Sequence, residues 1–454
     1  MTDTHTKPEG ARGLSRREFI GRMAAASALP VVASSGLLSA CSPDTPTARD
    51  DVLEFWAFAE ERTTFVRRTL QSDVWKSAHP DVEVNFRIFP HPQMHDKLLS
   101  SLVAGEGAPD IADVEVSQFG RFLRGDRIPF VPLSDRIGDE IDVLYKPAAT
   151  DGWSWEDEIY GVGNELNTVT LAYRTDVMQD AGVKTPFETW DDVIAAGEKV
   201  SRGDTKMFAI HDIHYADWFM MAQHAGTTGL FDETGEYIGD DPLSVLAMQF
   251  NRDLVYEQAI AGIAPADAQN DWFGPAYWEA FSANRFVATW GPPWHLGLLS
   301  LSVPDQEGKW TAQPLPEGLG ESRPTANFGG TGQCITEQSA NPDLAWELIA
   351  ACNLTVEGVM EDFKERTIYP AYQPAYDAPE LHQPNEYFSN VKIGEIYESV
   401  AAELPPFNQS PIWFDANEAL IRTVVTPVMQ DRVDAKTALT ELRPEVEELL
   451  AQGD

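Results

Sequence analysis

The sequence predicts an α/β fold. Two observations carry this. Past residue 50 the chain alternates strand and helix patterns as β-α-β-α-β, a series that builds a sheet of parallel strands with helices on its faces. The chain is also large and apolar enough, at 454 residues, 43% apolar and 10% aromatic, to bury one large or two medium cores.

Residues 51–58 (DVLEFWAF) read as a short strand, and 63–78 carry a helical pattern. Residues 82–89 (VEVNFRIF) alternate apolar and polar with period two and read as a strand. A helix is predicted over 94–104, stopped by Gly105 and Gly107, and another strand over 109–115. An extended crossing segment then leads to a strand at 169–173 and a short helix ended by Gly182. Thr189 is the expected N-cap of the next helix, with Asp191 and Asp192 in its first turn. Strands follow at 207–211 and 286–290, and helices at 216–224, 242–258 and 276–283. The run WGPPWHLG, from Trp290 to Gly297, sets two indoles around a rigid Gly-Pro-Pro corner. Residues 311–321 (TAQPLPEGLGE) read as a loop, 326–336 as strand-like with a double glycine, and 342–351 as a helix. From Glu386 the pattern is mostly helical, interrupted at 404–413.

The N-terminus is read separately from the fold. Twin arginines at Arg16 and Arg17, an Ala-rich weakly apolar stretch over 23–38, and the sequence Leu38-Ser39-Ala40-Cys41 follow in order. This looks like a twin-arginine export signal joined to a bacterial lipoprotein cleavage box; the alternative is a disordered N-terminus with a chance Arg-Arg pair. On the first reading residues 1–40 are a signal peptide, Cys41 carries lipid, and 41–51 are a flexible tether. The expected location is extracytoplasmic, lipid-anchored to the cell membrane. No later segment has an uninterrupted apolar run of about 18 residues.

Removing residues 1–40 takes away five bases and three acids and moves the formal net charge from −39 to −41. Such a field repels phosphate polymers, which argues against nucleic-acid binding, and repels an anionic membrane surface, which leaves anchoring to the tether. Beyond Cys41 the cysteines are Cys334 and Cys352, either a disulfide or two buried thiols.

The runs LEFWAF, APDIADVE, YGVGNELNTVTLAYRTDVMQDAGVKTPFETWDDVI, FSANRFVATWGPPW, QPLPEG, FGG and NPDLAWELIAACN follow one another over most of 51–370. Together, and in this order, they resemble the extracellular solute-binding proteins of bacterial ABC importers, in particular the sugar-binding, maltose-binding-protein-like family 1. YGVGNE lacks the proline that often follows the first glycine, and Arg174 stands where asparagine is common. The resemblance implies a two-lobed periplasmic-binding-protein fold of type II with several crossing segments, near 161–167, 314–330 and 369. Lobe 1 would be 52–165 plus 315–370, and lobe 2 would be 166–314 plus 371–454. It also implies a monomer that binds a sugar or oligosaccharide in the interlobe cleft and delivers it to permease subunits, with no catalysis and no cofactor.

A pyranose presents an apolar C–H face and a rim of hydroxyls, so a site for it needs rings and carboxylates together at loop ends. Trp153, Trp218, Trp272, Trp290 and Trp294 sit at predicted strand ends or loops and are the candidate rings, with core packing as the alternative for each. Trp75, Trp190 and Trp346 lie at helical spacing and Trp56 within a strand, so these are expected to be core. Glu60, Glu61, Glu115 and Asn164 stand near predicted strand ends, where parallel sheets place ligands, and are the candidate polar rim. On the family match Gly329 and Gly330 let backbone amides approach the ligand, and Tyr369 contributes a ring; a bulge and hinge packing are the alternatives. An exported glycan hydrolase would also want aromatics and paired carboxylates, but no pair stands out. A polyol, a glycerophosphodiester or another small polar solute remains open as ligand. The pairs His91/His95 and His211/His214 have ligand-like spacing without a third ligand and read as surface histidines rather than a metal site.

Overall fold

The computed structural model describes residues 51–125, 127–266 and 273–453. The expected signal peptide, Cys41 and most of the tether lie outside these residues, as does Trp272.

The first sheet has five strands. Val52–Ala57 lies between Glu83–Ile88 and Ile111–Glu115 and runs parallel to both, as the β-α-β-α-β series predicts. Thr331–Ile335 adds antiparallel to Ile111–Glu115, and Gly161–Gly163 closes the edge. The second sheet has Thr170–Arg174 at its centre, with Ala288–Gly291 and Trp310–Gln313 antiparallel on either side. That last strand includes the TAQ predicted as loop. It is short, and what makes it a strand is its partner, which lies far off in sequence.

Since Gly161–Gly163 belongs to the first sheet and Thr170–Arg174 to the second, residues 164–169 cross between them. Residues 314–330 cross back. A third stretch around Tyr369 lies alongside. The Leu166 N–H donates to Tyr369 O at 2.7 Å, Ala371 N–H to Asn164 O at 3.0 Å, and Val169 N–H to Ala326 O at 3.0 Å. The three segments thus satisfy one another's backbone in the middle of the molecule, where water cannot.

The helix predicted over 63–78 is two helices, Glu61–Thr69 and Asp73–Ala78, because the Ser72 hydroxyl caps the second by accepting from Trp75 N–H at 3.1 Å. Thr189 caps Trp190–Val200 as predicted, with Asp192 returning the bond to the Thr189 N–H. The Gly-Pro-Pro corner is a strand-to-helix junction. Ala288–Gly291 ends there, and Pro293 opens the helix Pro293–Ser302, where its missing N–H costs nothing. After residue 390 the helices are Ile393–Ala401, Trp413–Leu420, which continues through a π-turn at Ile421–Val425 into Thr426–Met429, and Ala435–Gly453.

Most of the candidate rings prove to be core. Trp290 is 4% exposed, edge-on to Trp190 at 5.9 Å and 4.7 Å from Phe208. Trp218 donates its indole N–H to Ser244 O at 3.0 Å, fastening Ala216–Ala225 to Pro242–Tyr256. Trp153 fills a slot floored by glycines: a Cβ on Gly332 would lie 2.5 Å from its indole and one on Gly163 3.0 Å. Its N–H donates to Val114 O at 2.8 Å. Trp56, Trp75 and Trp190 are buried, as expected. Trp346 packs half-buried against the core. Cys334 and Cys352 are buried free thiols.

Trp290→Ala is expected to lower stability by about 3–5 kcal/mol, the cost of emptying a buried ring site. Chemical denaturation followed by circular dichroism checks this; an unchanged midpoint would place the indole outside the core.

Candidate functional site

A cavity of about 660 Å³ opens between the connections of the two sheets. From the first sheet come the loops and helix starts that follow the strands: Phe58, Glu61 and Arg62 after Val52–Ala57, His91 and Asp96 after Glu83–Ile88, and Glu115, Ser117, Gln118 and Arg121 at and after Ile111–Glu115. Parallel strands deliver their carboxyl ends to one edge, so these residues converge for a topological reason. The opposite side is built by His214 and Tyr215, by Trp294, Leu298 and Leu301 of the helix after the Pro-Pro junction, and by Phe414 and Asn417 of Trp413–Leu420. Glu165, Phe328, Gly329 and Gly330 of the crossing segments, with Arg366 and Ile368, form the floor.

The floor is held by a buried ion network. Arg62 donates Nε–H to Asp113 at 2.9 Å and Nη1–H to Glu165 at 2.7 Å. Arg366 reaches Glu165 at 3.6 Å and forks onto Asp362, and Asp362 also accepts from the Asn164 amide. Burial pushes Glu165 up, but Arg62 and Arg366 together outweigh it and hold the carboxyl below its usual range. For Asp113 burial prevails over the pull of Arg62, and its affinity for a proton rises.

Glu115 sits higher on the wall. Its Oε2 accepts from the Ser117 N–H at 3.0 Å and from the Ser117 hydroxyl. Its own N–H donates to His95 Nε2 at 3.1 Å, while His95 Nδ1 donates to His91 O at 2.9 Å. Burial pushes the Glu115 carboxyl up to about 7. Burial pushes His95 down to about 3 and His91 down to about 4, so both imidazoles are uncharged at neutral pH. The histidine pairs are not on the surface as expected. His95 packs near Phe58, and His211 contacts Asp217 at 2.7 Å and stacks on Tyr277 at 5.4 Å. Among the described residues no group of three or more His, Cys, Asp or Glu side chains is placed to hold a metal ion.

Of the residues picked from sequence, Glu61, Glu115, Trp294, Gly329 and Gly330 line this cavity. The two glycines have φ of +84° and +112°. Gly329 is required by the Trp294 indole, whose Nε1 would lie 2.9 Å from a Cβ there and which donates to Phe328 O at 3.2 Å. Trp153, Trp218 and Trp290 do not line it, because each is enclosed by its own sheet or helix pair. Glu60 is exposed beside Arg67, Asn164 is spent on Asp362, and Tyr369 is buried between Phe363 and Tyr397. The sequence reading missed Phe58, Arg62, Tyr215, Phe328 and Phe414. Phe58 and Phe328 stood inside quoted motifs, at the end of LEFWAF and the start of FGG, and could have been chosen. Phe414, in the helical tail, carried no such signal.

A family model described as bacterial extracellular solute-binding protein matches residues 73–388. The chain is 26% identical over 405 residues to the arabinooligosaccharide-binding protein of Bacillus subtilis (strain 168), covering 87% of this chain and 92% of that one. It is 29% identical over 379 residues to the arabinooligosaccharide-binding protein of Halalkalibacterium halodurans, covering 81% and 83%. Maltose-bound MalE3 of T. maritima superposes with a TM-score of 0.70 at 18% identity, covering 88% of this chain and all of the other (100%), which shows a shared fold, the type II periplasmic-binding-protein fold. With its five-stranded and three-stranded sheets, the segments that cross between them and a cavity at the strand ends, the chain belongs to the bacterial extracellular solute-binding proteins and acts outside the cytoplasm.

Proposed function

We propose that this chain is the substrate-binding lipoprotein of an ABC importer, capturing a sugar or oligosaccharide and delivering it unaltered to permease subunits in the membrane. The observation that carries the reading is the mixed chemistry of one cavity: Phe58, Tyr215, Trp294, Phe328 and Phe414 supply flat apolar faces, and Glu61, Glu115, Arg62, Gln118 and Asn417 supply polar groups. Rings cover the C–H face of a saccharide while the polar groups bond its hydroxyls. The two relatives, from Bacillus subtilis and Halalkalibacterium halodurans, are arabinooligosaccharide-binding proteins, which supports a saccharide of that class as the ligand.

On this reading lobe 1 is 52–165 plus 315–370, lobe 2 is 166–314 plus 371–454, and the ligand draws the lobes together by bending at the three crossing segments. Glu61, Glu115, Trp294, Gly329 and Gly330 are its proposed contacts. Residues 1–40 direct export, Cys41 carries the lipid, and the monomer works at the outer face of the membrane. Capture needs no bond making, and the relatives named above are binding proteins.

Titration calorimetry of the purified protein against arabino-oligosaccharides, lactose, maltose and simple polyols tests this. Saturable binding of a saccharide without cleavage is expected; binding of none, or the appearance of cleavage products, overturns it. Trp294→Ala is expected to weaken the sugar about tenfold or more, the loss of an aromatic contact of roughly 1.5 kcal/mol, with the circular dichroism still that of the folded protein. Cys41→Ser is expected to move the protein from the membrane fraction to the soluble fraction.

A further inference from the structure

Glu115 carries an asymmetry that the rest of the cavity does not explain. Both of its accepted hydrogen bonds, from the Ser117 N–H and hydroxyl, fall on Oε2. Among the described residues no hydrogen bond falls on Oε1, although the residue lines the cavity. An ionised carboxylate offers about four acceptor positions, so one whole oxygen is left for a ligand donor. We propose that Glu115 is a proton-linked hydroxyl acceptor: a sugar hydroxyl donates to Oε1, and the carboxyl releases its proton to solvent as the sugar binds. This rests on the sugar reading above.

The surroundings single out Glu115. Burial raises its carboxyl to about 7, with the Ser117 bonds and Arg62 pulling the other way and Glu165 adding to the rise. Across the cavity, burial leaves His214 uncharged and Tyr215 protonated near neutral pH. On the neighbouring helix His91 and His95 are already uncharged there. Arg62 is committed to Asp113 and Glu165, and Arg121 to Asp96 at 2.7 Å. Glu61 and Glu418 also face the cavity. The sign follows from what the ligand adds. A hydroxyl donated to a carboxylate favours the charged form and lowers its pKa. Glu115 is half-buried, and desolvation already raises its carboxyl with no ligand present, so the sugar brings a donor more than it removes water. At a fixed neutral pH the bound state therefore holds fewer protons than the free one, and affinity rises as pH rises through the free-state value.

The test is titration calorimetry with arabino-oligosaccharides between pH 6 and pH 8, in pairs of buffers of different ionisation heat. A group of pKa about 7 goes from about one-tenth to nine-tenths ionised over that span, so Kd is expected to fall up to about tenfold, with net proton release at pH 7. Glu115→Gln, which keeps the shape but cannot ionise, is expected to remove both the slope and the proton release. A wild-type Kd independent of pH, net proton uptake, or a Gln variant that keeps the slope overturns the proposal while leaving sugar binding intact. The wild-type protein in the paired buffers settles the slope and the direction of proton transfer, and overturns the proposal if either fails, whether or not the variant folds. If no saccharide binds at any pH, the sugar reading fails and this inference fails with it.

Discussion

The Arg62 guanidinium is the constraint on which the cavity depends. It lies 5% exposed on the helix Glu61–Thr69 and joins Asp113 of the first sheet to Glu165 of a crossing segment, and Glu165 in turn faces Arg366. A buried charge is tolerated only when paired and hydrogen-bonded, so each partner fixes where the others can be. Helix, sheet and crossing segment are thereby set relative to one another by a few charge-assisted bonds of defined geometry, in addition to the apolar packing of Phe65 and Val66 against the sheet. Glu165 is tied to the first sheet for this reason, and the walls rise on separate elements.

The aromatic residues divide between two tasks according to what stands beside them. Trp153 rests on a face of glycines, and Trp290 is edge-on to Trp190; both make the interior dense. Trp294, four residues past Trp290, begins a helix on the far side of the Pro-Pro junction and turns its ring over Gly329 toward the cavity. The junction thus separates a structural indole from a cavity indole within one short run. Proline suits it because the chain must leave a strand and enter a helix without an N–H to satisfy.

Polar groups divide in the same way. Asn164 and Asp362 are consumed in the floor, whereas Glu115 keeps one oxygen uncommitted on the wall. A strongly acidic exterior lies around both and does not bear on either, since exposed charges are screened within about 10 Å at ordinary salt while buried ones are not. The membership of the extracellular solute-binding family and the similarity to MalE3 fit a molecule whose chemistry is concentrated in one cavity at the sheet ends.

The local pattern of the sequence determined most of the elements. Period-two alternation marked Glu83–Ile88, the Thr189 capping box marked the start of Trp190–Val200, and the β-α-β-α-β series implied the parallel pairing of Val52–Ala57 with both neighbours. These signals are local, carried by residues a few positions apart. The ordered motifs also pointed to the family and to crossings near 161–167, 314–330 and 369. Only the tertiary structure decided that Trp310–Gln313 is a strand, since its partner lies about 140 residues away. Only it decided which indoles face the cavity, because an aromatic at a strand end is core or site according to what packs against it from distant segments. Arg62 and Phe414 were illegible for the same reason: neither stands in a local pattern, and their meaning comes from Asp113, Glu165 and the cavity wall, which folding alone brings to them.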